Sequence, residues 1–444
     1  MKKVYLAAVA SNLGMLSCGV FFGWPSPSMP LLVQEDSPVQ ITMQEAAWVA
    51  SLLTIGGAIG AGSCSFLVNT IGRKGTMLSS AIPAVIGWLM IAFASSAWEL
   101  FIGRFFCGLS NGSGYVATMM YIGEISPANI RGRLGSSLTV AAKLGVFVEW
   151  VIGPLLSFRD LALVSVAFPV VFFLTLVWLP ESPYHLIRRG KHLQAMTSLS
   201  QLRGSKDVST EMDVIEMSVK MDMANDSGLW ELVSVSGNRK ALIVLLGLVI
   251  FQQWSGSMAV LYYAEIIFNE TDNSFEGKYV TMILGAVQVV CTIVGASTVD
   301  HYGRRPMLLI STFGVAVATM LVGVFFYLQD SGADVSNIVW LPATGCCLYF
   351  IMYAVGLAAL PFTLMSELFP TNVKALGSTI SMVCCNLCAF IVGVSYQTIA
   401  EYYGIYTAFW TFTACSLLAV CFMYCTVPET KGKTLQEVQQ QLHG

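Results

Sequence analysis

The sequence predicts an all-α membrane protein with twelve transmembrane helices in two parallel six-helix bundles. The first reason is composition, because 55% of the 444 residues are hydrophobic and only 11% are charged, whereas a soluble protein carries about 25% charged residues. The second is a series of twelve apolar runs, each near the roughly 20 residues that a helix needs to cross a bilayer. The third is a set of three polar phrases that occur twice in the same order.

Apolar runs account for most of the chain. Helices and closed barrels are the structures that satisfy their own backbone hydrogen bonds in lipid, and the length of these runs indicates helices. The expected spans lie near residues 4–24, 46–68, 76–97, 99–121, 134–157, 161–179, 240–268, 279–299, 306–328, 336–366, 375–398 and 405–426.

Basic residues are distributed unevenly between the loops. Of the 23 Lys and Arg, 19 fall in loops on the side of the N-terminus, and only Arg159 and Lys278 fall in the opposite loops. The positive-inside rule then places both termini in the cytoplasm. The segment 180–239 lies there too, as a helical insert with helix-like apolar spacing at 192–203 and 211–221. A signal peptide over the first run is the alternative, but no convincing cleavage site follows it.

Three polar phrases recur at offsets of 231, 243 and 248 residues. They are NTIGRKGTML at 69–78 with DHYGRRPML at 300–309, EISPANIRGRLGS at 124–136 with ELFPTNVKALGS at 367–378, and LPES at 179–182 with VPET at 427–430. Because each phrase returns six spans later on the same side, the halves are parallel repeats, which predicts two bundles that rock about a central site. The expected domains are an N-terminal bundle (1–179), a linker (180–239), a C-terminal bundle (240–428) and a tail (429–444).

Both copies of these phrases carry carboxylates and cations on short cytoplasmic turns. One exposed ion pair contributes about 0–1 kcal/mol, but several half-buried pairs together can bias a two-state equilibrium of a few kcal/mol. We therefore predict a cytoplasmic gate, the alternative being charges that only set the topology. The predicted gate residues are Arg73, Lys74, Glu124, Arg131, Asp300, Arg304, Arg305, Glu367 and Lys374.

The motifs together resemble a known family. Two six-span halves with GRK and GRR turns, PESP, PETKG and QQWSG followed by YY are similar to the sugar porter family of the major facilitator superfamily, over essentially the whole chain. FGWPSP at 22–27 resembles the insect facilitated trehalose transporter-like branch. The resemblance implies the major facilitator fold, a sugar substrate, lipid surroundings, no cofactor, metal or nucleic acid, and a monomer in the plasma membrane.

Amide side chains in an apolar span predict the substrate site. Gln252 and Gln253 lie in FQQWSGSMAVLYY, and a polar side chain within a span usually faces a cavity or another helix. An amide can both donate to and accept from a sugar hydroxyl, and hydrogen bonding between helices is the alternative. Ser255-Gly256-Ser257 should weaken the helix at this point.

The resemblance implies further site residues. It places Gln252 and Gln253 against the sugar and Tyr262 and Tyr263 at the outer gate. An asparagine that the family has later in span seven is Met258 here, so the site differs from the family pattern. The other candidate substrate contacts are Gln288, Phe362, Asn386, Thr139 and Trp254, and several of them differ from the residue types that the family has there.

A group of ionisable residues lies well inside the spans, where such residues are costly and usually functional. They are Arg104, Lys143 and Glu149. Lys143 lies about 40° around its helix from Thr139, and Glu149 about 120° from Lys143. We predict that Glu149 pairs with Arg104 and that Lys143 faces the cavity; a lysine that only reaches water is the alternative for Lys143.

The predicted function is facilitative transport of a sugar, either trehalose or a hexose such as glucose, by alternating access. Symporters of the family carry an Asp in span one where Pro25 stands here, which favours uniport. The alternatives are proton-coupled symport that uses Glu149 and a sugar sensor that does not transport. The tail after Leu435 is under ten residues long, which leaves little to signal with and counts against the sensor. No Ser/His/Asp set or phosphate-binding loop appears in the sequence, so we do not expect an enzyme.

Overall fold

The computed structural model describes residues 2–34, 37–205, 207–224, 229–271, 276–369, 371–431, 433 and 437. Within these residues the regular structure is helical. The α-helices are α1 (Lys2–Gly23), α2 (Pro25–Val33), α3 (Met43–Thr70), α4 (Gly72–Ala92), α5 (Ala97–Ile125), α6 (Ala128–Ile152), α7 (Phe158–Leu176), α8 (Pro183–Arg188), α9 (His192–Arg203), α10 (Ser209–Ala224), α11 (Leu229–Ser234), α12 (Ser236–Trp254), α13 (Ser257–Asn269), α14 (Gly277–Tyr302), α15 (Arg304–Asp330), α16 (Leu341–Val355), α17 (Leu360–Leu368), α18 (Thr371–Tyr403) and α19 (Ile405–Thr426).

Most of these helices are long and apolar enough to cross a membrane. Among the described residues, eleven helical segments meet that condition by length and composition. The remaining predicted span is α5, which has 29 residues and carries buried polar groups such as Arg104 and Asn111. At about 1.5 Å per residue this helix also exceeds the thickness of a bilayer core. The predicted all-α membrane fold is confirmed.

Within the described ranges, three spans are interrupted. Span one breaks at Trp24, between α1 and α2, and a proline begins the second piece. Span seven breaks at Ser255 and Gly256, where Gly256 has φ 92°, as the Ser-Gly-Ser sequence predicted. Span ten breaks between α16 and α17, over residues 356–359. Breaks at membrane depth are tolerated where side chains or a cavity satisfy the freed backbone groups.

By their internal contacts the residues form two compact units. Unit 1 comprises Met1–Phe21, Leu52–Val146 and Leu156–Ser227, and unit 2 comprises Phe22–Ser51, Phe147–Leu155 and Gly228–Gly444. Unit 2 therefore includes two segments from the first half of the sequence. The domain boundaries expected from the repeat remain a prediction.

The insert between the two sets of six spans is helical, as its apolar spacing predicted. Helices α8, α9 and α10 bury one apolar face each in a small core of their own. This core contains Ile187, Ala195, Leu199, Val208, Met212, Ile215 and Val219. This core packs α8 and α9 against each other, and α8 also contacts α4.

Candidate functional site

The amide pair lies at the break in span seven. Gln252 and Gln253 belong to the last turn of α12, and both are buried. Gln253 Nε2 donates to Cys385 Sγ at 3.1 Å, and its Oε1 accepts from Ser257 Oγ at 3.2 Å. Hydrogen bonds to neighbouring groups therefore engage both ends of the Gln253 amide.

Gln252 is bonded at one end only. Its Nε2 donates to the Leu357 carbonyl oxygen, in the break of span ten, at 2.5 Å. Because a carbonyl can only accept, the amide nitrogen must face Leu357. The Tyr353 hydroxyl also lies beside this amide. Gln252 Oε1 is buried, and no hydrogen bond of normal geometry reaches it within the described chain. A ligand hydroxyl could donate to this oxygen.

The other predicted substrate residues have different environments. Gln288 is buried in α14, and its Oε1 also has no hydrogen-bond partner among the described residues. Asn386 Nδ2 donates to the Met382 carbonyl of its own helix at 2.9 Å. Trp254 and Phe362 are half-buried. These four residues belong to unit 2 with the amide pair, whereas half-buried Thr139 belongs to unit 1.

The predicted outer-gate tyrosines are fully buried within unit 2. The Tyr263 hydroxyl donates to the Gly393 carbonyl at 3.2 Å, and its ring lies 4.8 Å from the Tyr396 ring. A Cβ placed on Gly393 would lie 3.8 Å from Tyr262 and 2.4 Å from Ser51 Oγ. The tyrosines thus pack close to a residue from span two.

More segments from the first half of the sequence pack within unit 2. Helix α2 contacts α13, where the Glu265 backbone N–H donates to Ser26 Oγ at 3.3 Å. The Trp150 ring lies 6.3 Å from Phe350, and Trp48 lies 5.4 Å from Phe390. These contacts all lie on the side that the cation distribution assigns to the exterior.

In unit 1, the predicted gate residues Arg73 and Glu124 form an ion pair. Arg73 Nε and Nη2 donate to Glu124 Oε1 at 2.9 and 2.7 Å. Ser182 Oγ donates to the other oxygen of Glu124. Arg73 Nη1 lies 3.3 Å from His185 Nδ1. Burial lowers the pKa of His185, although the nearby Glu181 charge opposes this, so a neutral imidazole accepts from Arg73.

A second carboxylate, that of Glu181, holds the start of α4. Its Oε1 accepts from the backbone N–H groups of Arg73 and Lys74, both at 3.1 Å, and of Ser182 at 2.8 Å. The first N–H groups of a helix have no partner within the helix and favour negative charge. We call Arg73, Glu124, Glu181, Ser182 and His185 the first charge cluster.

Unit 2 contains the same arrangement. Arg304 Nε and Nη2 donate to Glu367 Oε1 at 3.3 and 3.1 Å, and Thr430 Oγ1 donates to Glu367 Oε2 at 2.5 Å. Glu429 accepts from the backbone N–H groups of Arg304 at 3.0 Å and Arg305 at 3.1 Å. We call Arg304, Glu367, Glu429 and Thr430 the second charge cluster.

Backbone hydrogen bonds perturb the acid in this second cluster. Burial would raise the pKa of Glu429, but N–H donors from Lys431, Arg304 and Arg305 outweigh it, so the pKa lies below its ordinary value. A charged Glu429 therefore holds the start of α15, as Glu181 holds the start of α4.

Sequence reasoning missed five residues of the two clusters, among them His185, which the repeat does not mark. Glu181, Ser182, Glu429 and Thr430 were not among the predicted gate residues, although LPES and VPET had been recognised as a repeat. The repeat was the available signal, since it places an acid and a hydroxyl at the same offset in both halves.

The remaining gate residues make other contacts. Lys74 Nζ donates to the Val177 carbonyl at 2.7 Å, and Arg131 Nη2 donates to the Ser126 carbonyl at 3.3 Å. Arg305 Nη2 donates to the Tyr424 carbonyl at 2.5 Å, with the guanidinium 5.2 Å from that ring. Lys374 is half-buried near Glu367. Asp300 belongs to α14, but its side chain lies outside the described part.

The ionisable residues within the spans are partly or fully buried. Arg104 is fully buried in unit 1, where its Nη1 donates to the Phe21 carbonyl at 2.8 Å. Glu149 is fully buried in unit 2, and Lys143 is half-buried in unit 1. The predicted Glu149–Arg104 pair remains a prediction.

Comparison with known proteins identifies relatives over the whole chain. It is 30% identical to the facilitated trehalose transporter Tret1 of Polypedilum vanderplanki over 443 residues, covering 99% of this chain and 88% of that protein. It is 31% identical to Tret1 of Apis mellifera ligustica, again covering 99% and 88% of the two chains. Against the Drosophila willistoni protein of that name, the chain covers 51% of its length.

The fold matches a solved transporter structure. An inward-open structure of the xylose transporter XylE from E. coli superposes with a TM-score of 0.83 at 23% identity, covering 99% of both chains. XylE is a protein of the major facilitator superfamily, and at this identity the likeness shows the fold alone. The family model described as "Sugar (and other) transporter" matches residues 30–442. This chain is therefore a multi-pass membrane transporter and belongs to the sugar (and other) transporter family.

Proposed function

We propose that the protein carries a sugar across the membrane by facilitated diffusion, the substrate being trehalose or a hexose such as glucose. The observation that carries this proposal is the buried Gln252 amide, whose nitrogen is bonded and whose oxygen is open to a donor. Such an acceptor in an apolar span suits a neutral polyol. Relatives named as facilitated trehalose transporters, at 30% and 31% identity, support the substrate class.

Transport proceeds by alternating access. The outer gate is closed by the buried Tyr262 and Tyr263 and by the packing of α2 against α13. The two charge clusters form the cytoplasmic gate together with Lys74, Arg131, Asp300, Arg305 and Lys374. Repeated clusters on one side of a membrane support two bundles that move as units, as parallel-repeat transporters do.

Uniport is the favoured mode of transport. Pro25 begins α2 at the position where the sugar porter resemblance places the proton-cycling acid of symporters. The competing mode is proton-coupled symport through the buried Glu149, paired with Arg104. A solved relative in fold, XylE, is named a proton:xylose symporter, so coupling needs a direct test.

The proposal also covers the oligomeric state, the membrane location and the orientation of the protein. The protein is monomeric, lies in the plasma membrane with both termini cytoplasmic, and is not an enzyme. The placement of 19 of the 23 Lys and Arg in the loops on the side of the termini supports that orientation. A sensor that binds sugar without moving it is the other candidate, and flux measurements separate the two.

The test is initial uptake of labelled trehalose and glucose by cells that express the protein, with and without a protonophore. Saturable uptake that equilibrates and is insensitive to the protonophore supports the proposal. Concentrative uptake that the protonophore abolishes, and that Glu149→Gln makes insensitive to pH, would establish symport. No uptake of either sugar by protein labelled at the cell surface would refute transport of trehalose and glucose, and would point to a different substrate or to a sensor.

A further inference from the structure

One serine forms hydrogen bonds to the backbone on both sides of the point where span ten breaks. Ser311 lies on α15 and is fully buried. Its Oγ donates to the Met352 carbonyl at 2.6 Å and accepts from the Leu357 N–H at 3.0 Å. A hydroxyl has one donor and two acceptor sites, so one side chain can make both bonds.

The break creates the need for these bonds. In an uninterrupted helix the Leu357 N–H would pair with the Tyr353 carbonyl, but the Ala358 N–H takes that carbonyl at 2.9 Å. Leu357 therefore requires another acceptor, because an unsatisfied backbone group at membrane depth is costly. Ser311 Oγ supplies this acceptor, and by donating to the Met352 carbonyl it also holds the last turn of α16.

Close packing keeps α15 and the break in register. A Cβ placed on Gly356 would lie 2.7 Å from the Met307 carbonyl oxygen and 2.8 Å from Ser311 Cβ. The backbone of span ten thus lies directly against the turn of α15 that carries Ser311. A larger residue at position 356 would separate the two groups.

The break also anchors the substrate-site amide. The same Leu357 whose N–H binds Ser311 accepts from Gln252 Nε2 through its carbonyl. We propose that Ser311 is a positioning residue for sugar recognition: it holds the span-ten break so that Leu357 fixes the Gln252 amide, with Oε1 presented to a sugar hydroxyl. This inference rests on the proposed function.

Without the hydroxyl, the break would reorganise. The Leu357 N–H would recover the Tyr353 carbonyl, which rewinds the turn by one residue, or about 100° around the helix axis. The Leu357 carbonyl would then leave Gln252, and the freed amide could rotate. Recognition suffers because a polar contact must be held in one orientation by its supporting residues.

The experiment compares Ser311→Ala with Ser416→Ala in uptake kinetics, normalised to protein at the cell surface. Ser416 is an equally buried serine, and its hydroxyl has no hydrogen-bond partner in the part of the chain that the structure describes. We expect Ser311→Ala to raise the KM for sugar about tenfold, as the loss of one well-placed hydrogen bond does. The maximal rate should change less than the KM, and Ser416→Ala should leave both near wild type.

A double-mutant cycle separates positioning from general damage. If Ser311 acts through Gln252, adding Ser311→Ala to Gln252→Ala leaves the KM of the single Gln252→Ala variant unchanged, because coupled residues are not additive. A rise of the same size in both backgrounds would overturn the proposal, as would a Ser311→Ala KM equal to that of Ser416→Ala. Should Ser311→Ala fail to reach the membrane, Ser311→Cys replaces it. The KM should then rise less than expected for Ser311→Ala, because a thiol keeps weak hydrogen bonds that alanine lacks.

A measurement that needs no sugar accompanies these assays. Hydrogen exchange of the peptide containing Leu357 should be faster in purified Ser311→Ala than in Ser416→Ala, since the amide loses its acceptor. If the wild type carries no sugar, the proposed function has failed, and recognition by Ser311 fails with it. Equal exchange in the two variants, with wild-type transport intact, would overturn the role of Ser311 alone.

Discussion

In the first charge cluster the Arg73 and Glu124 side chains are 6% and 17% exposed, whereas Arg304 and Glu367 in the second are 15% and 26% exposed. The shortest ion-pair distance is 2.7 Å in the first cluster and 3.1 Å in the second. The same repeated phrases therefore produce a tighter and drier cluster in the first half than in the second. Water and salt screen the more exposed pair more strongly.

The helical insert that contains α8 and α9 accounts for the difference. His185 of α8 lies beside Arg73, and Ser198 of α9 donates to the Glu181 backbone carbonyl at 2.6 Å. Arg188 and Arg189, at the end of α8, donate to Asn69 and to the Thr70 carbonyl at 3.1 and 2.6 Å. The insert thus covers the first cluster. A repeated motif therefore acquires its strength from what packs over it.

The largest expected effect comes from removing the cations. Arg73→Leu leaves Glu124 buried without its charge partner, which costs about 3–5 kcal/mol in a buried pair. Arg304→Leu should cost less, closer to the roughly 1 kcal/mol of a partly exposed pair. Thermal unfolding in detergent, followed by tryptophan fluorescence, should give a clearly lower midpoint for Arg73→Leu. Equal losses in the two variants would show that the difference in burial has no energetic weight.

The acids that hold α4 and α15 provide a second, smaller test. Glu181→Gln and Glu429→Gln should each cost about 1 kcal/mol, because both lose a charge at a helix start. Since the pKa of Glu429 is lowered in the folded protein, its contribution is present at neutral pH and is lost as the pH falls through the folded pKa. The unfolding midpoints of Glu429→Gln and wild type should therefore converge in acid. A gap that persists in acid would contradict the capping role.

The pH dependence of stability should also distinguish the two clusters, because His185 is present in the first cluster only. Its lowered pKa means that the folded state favours the neutral ring. Stability is then complete above the ordinary histidine pKa of about 6.5 and falls as the pH drops below it. We expect wild-type unfolding midpoints to decrease between about pH 7.5 and 5.5, and His185→Gln to decrease less. The matching position of the second cluster is Lys433, so Lys433→Gln serves as the control and should leave the slope unchanged.

The smallest expected effect comes from weakening the contact of α9 with the first charge cluster. Ser198→Ala removes the hydroxyl that donates to the Glu181 carbonyl and should cost about 1 kcal/mol or less. The stability lost on Ser198→Ala should be smaller in an Arg73→Leu background if α9 acts by excluding water from the Arg73–Glu124 ion pair. Fully additive losses in the double variant would mean that α9 and the ion pair are independent.

Much of this architecture could be predicted from the sequence. Apolar length predicted the helical spans, and Ser255-Gly256-Ser257 predicted the break in span seven, because both follow from local rules. The repeated phrases also predicted that Arg73 and Glu124, and later Arg304 and Glu367, would lie among charged neighbours.

Other features could not be predicted, because they depend on contacts distant in sequence. Glu181 holds the start of α4 across 108 positions, and no local pattern shows which helix an acid will reach. The break in span ten begins at Gly356, a poor helix former, but it continues through Leu357 and two alanines, which favour helix by propensity. Its hydrogen bond to Ser311 of another helix could not be read from the local sequence. The interhelical bond of Gln252, weighed only as an alternative, proved to be present together with an open acceptor.

The tight turns at Gly72 and Gly303 set limits on variation in this transporter. Both have positive φ, at 87° and 92°, and a Cβ there would meet the carboxylate of Glu181 at 2.3 Å or of Glu429 at 3.0 Å. Every amino-acid replacement of glycine adds a Cβ, so each missense change at these codons strains the turn and displaces the acid. In a saturation library selected for surface expression, positions 72 and 303 should therefore be depleted of all substitutions alike, as a matched pair 231 codons apart.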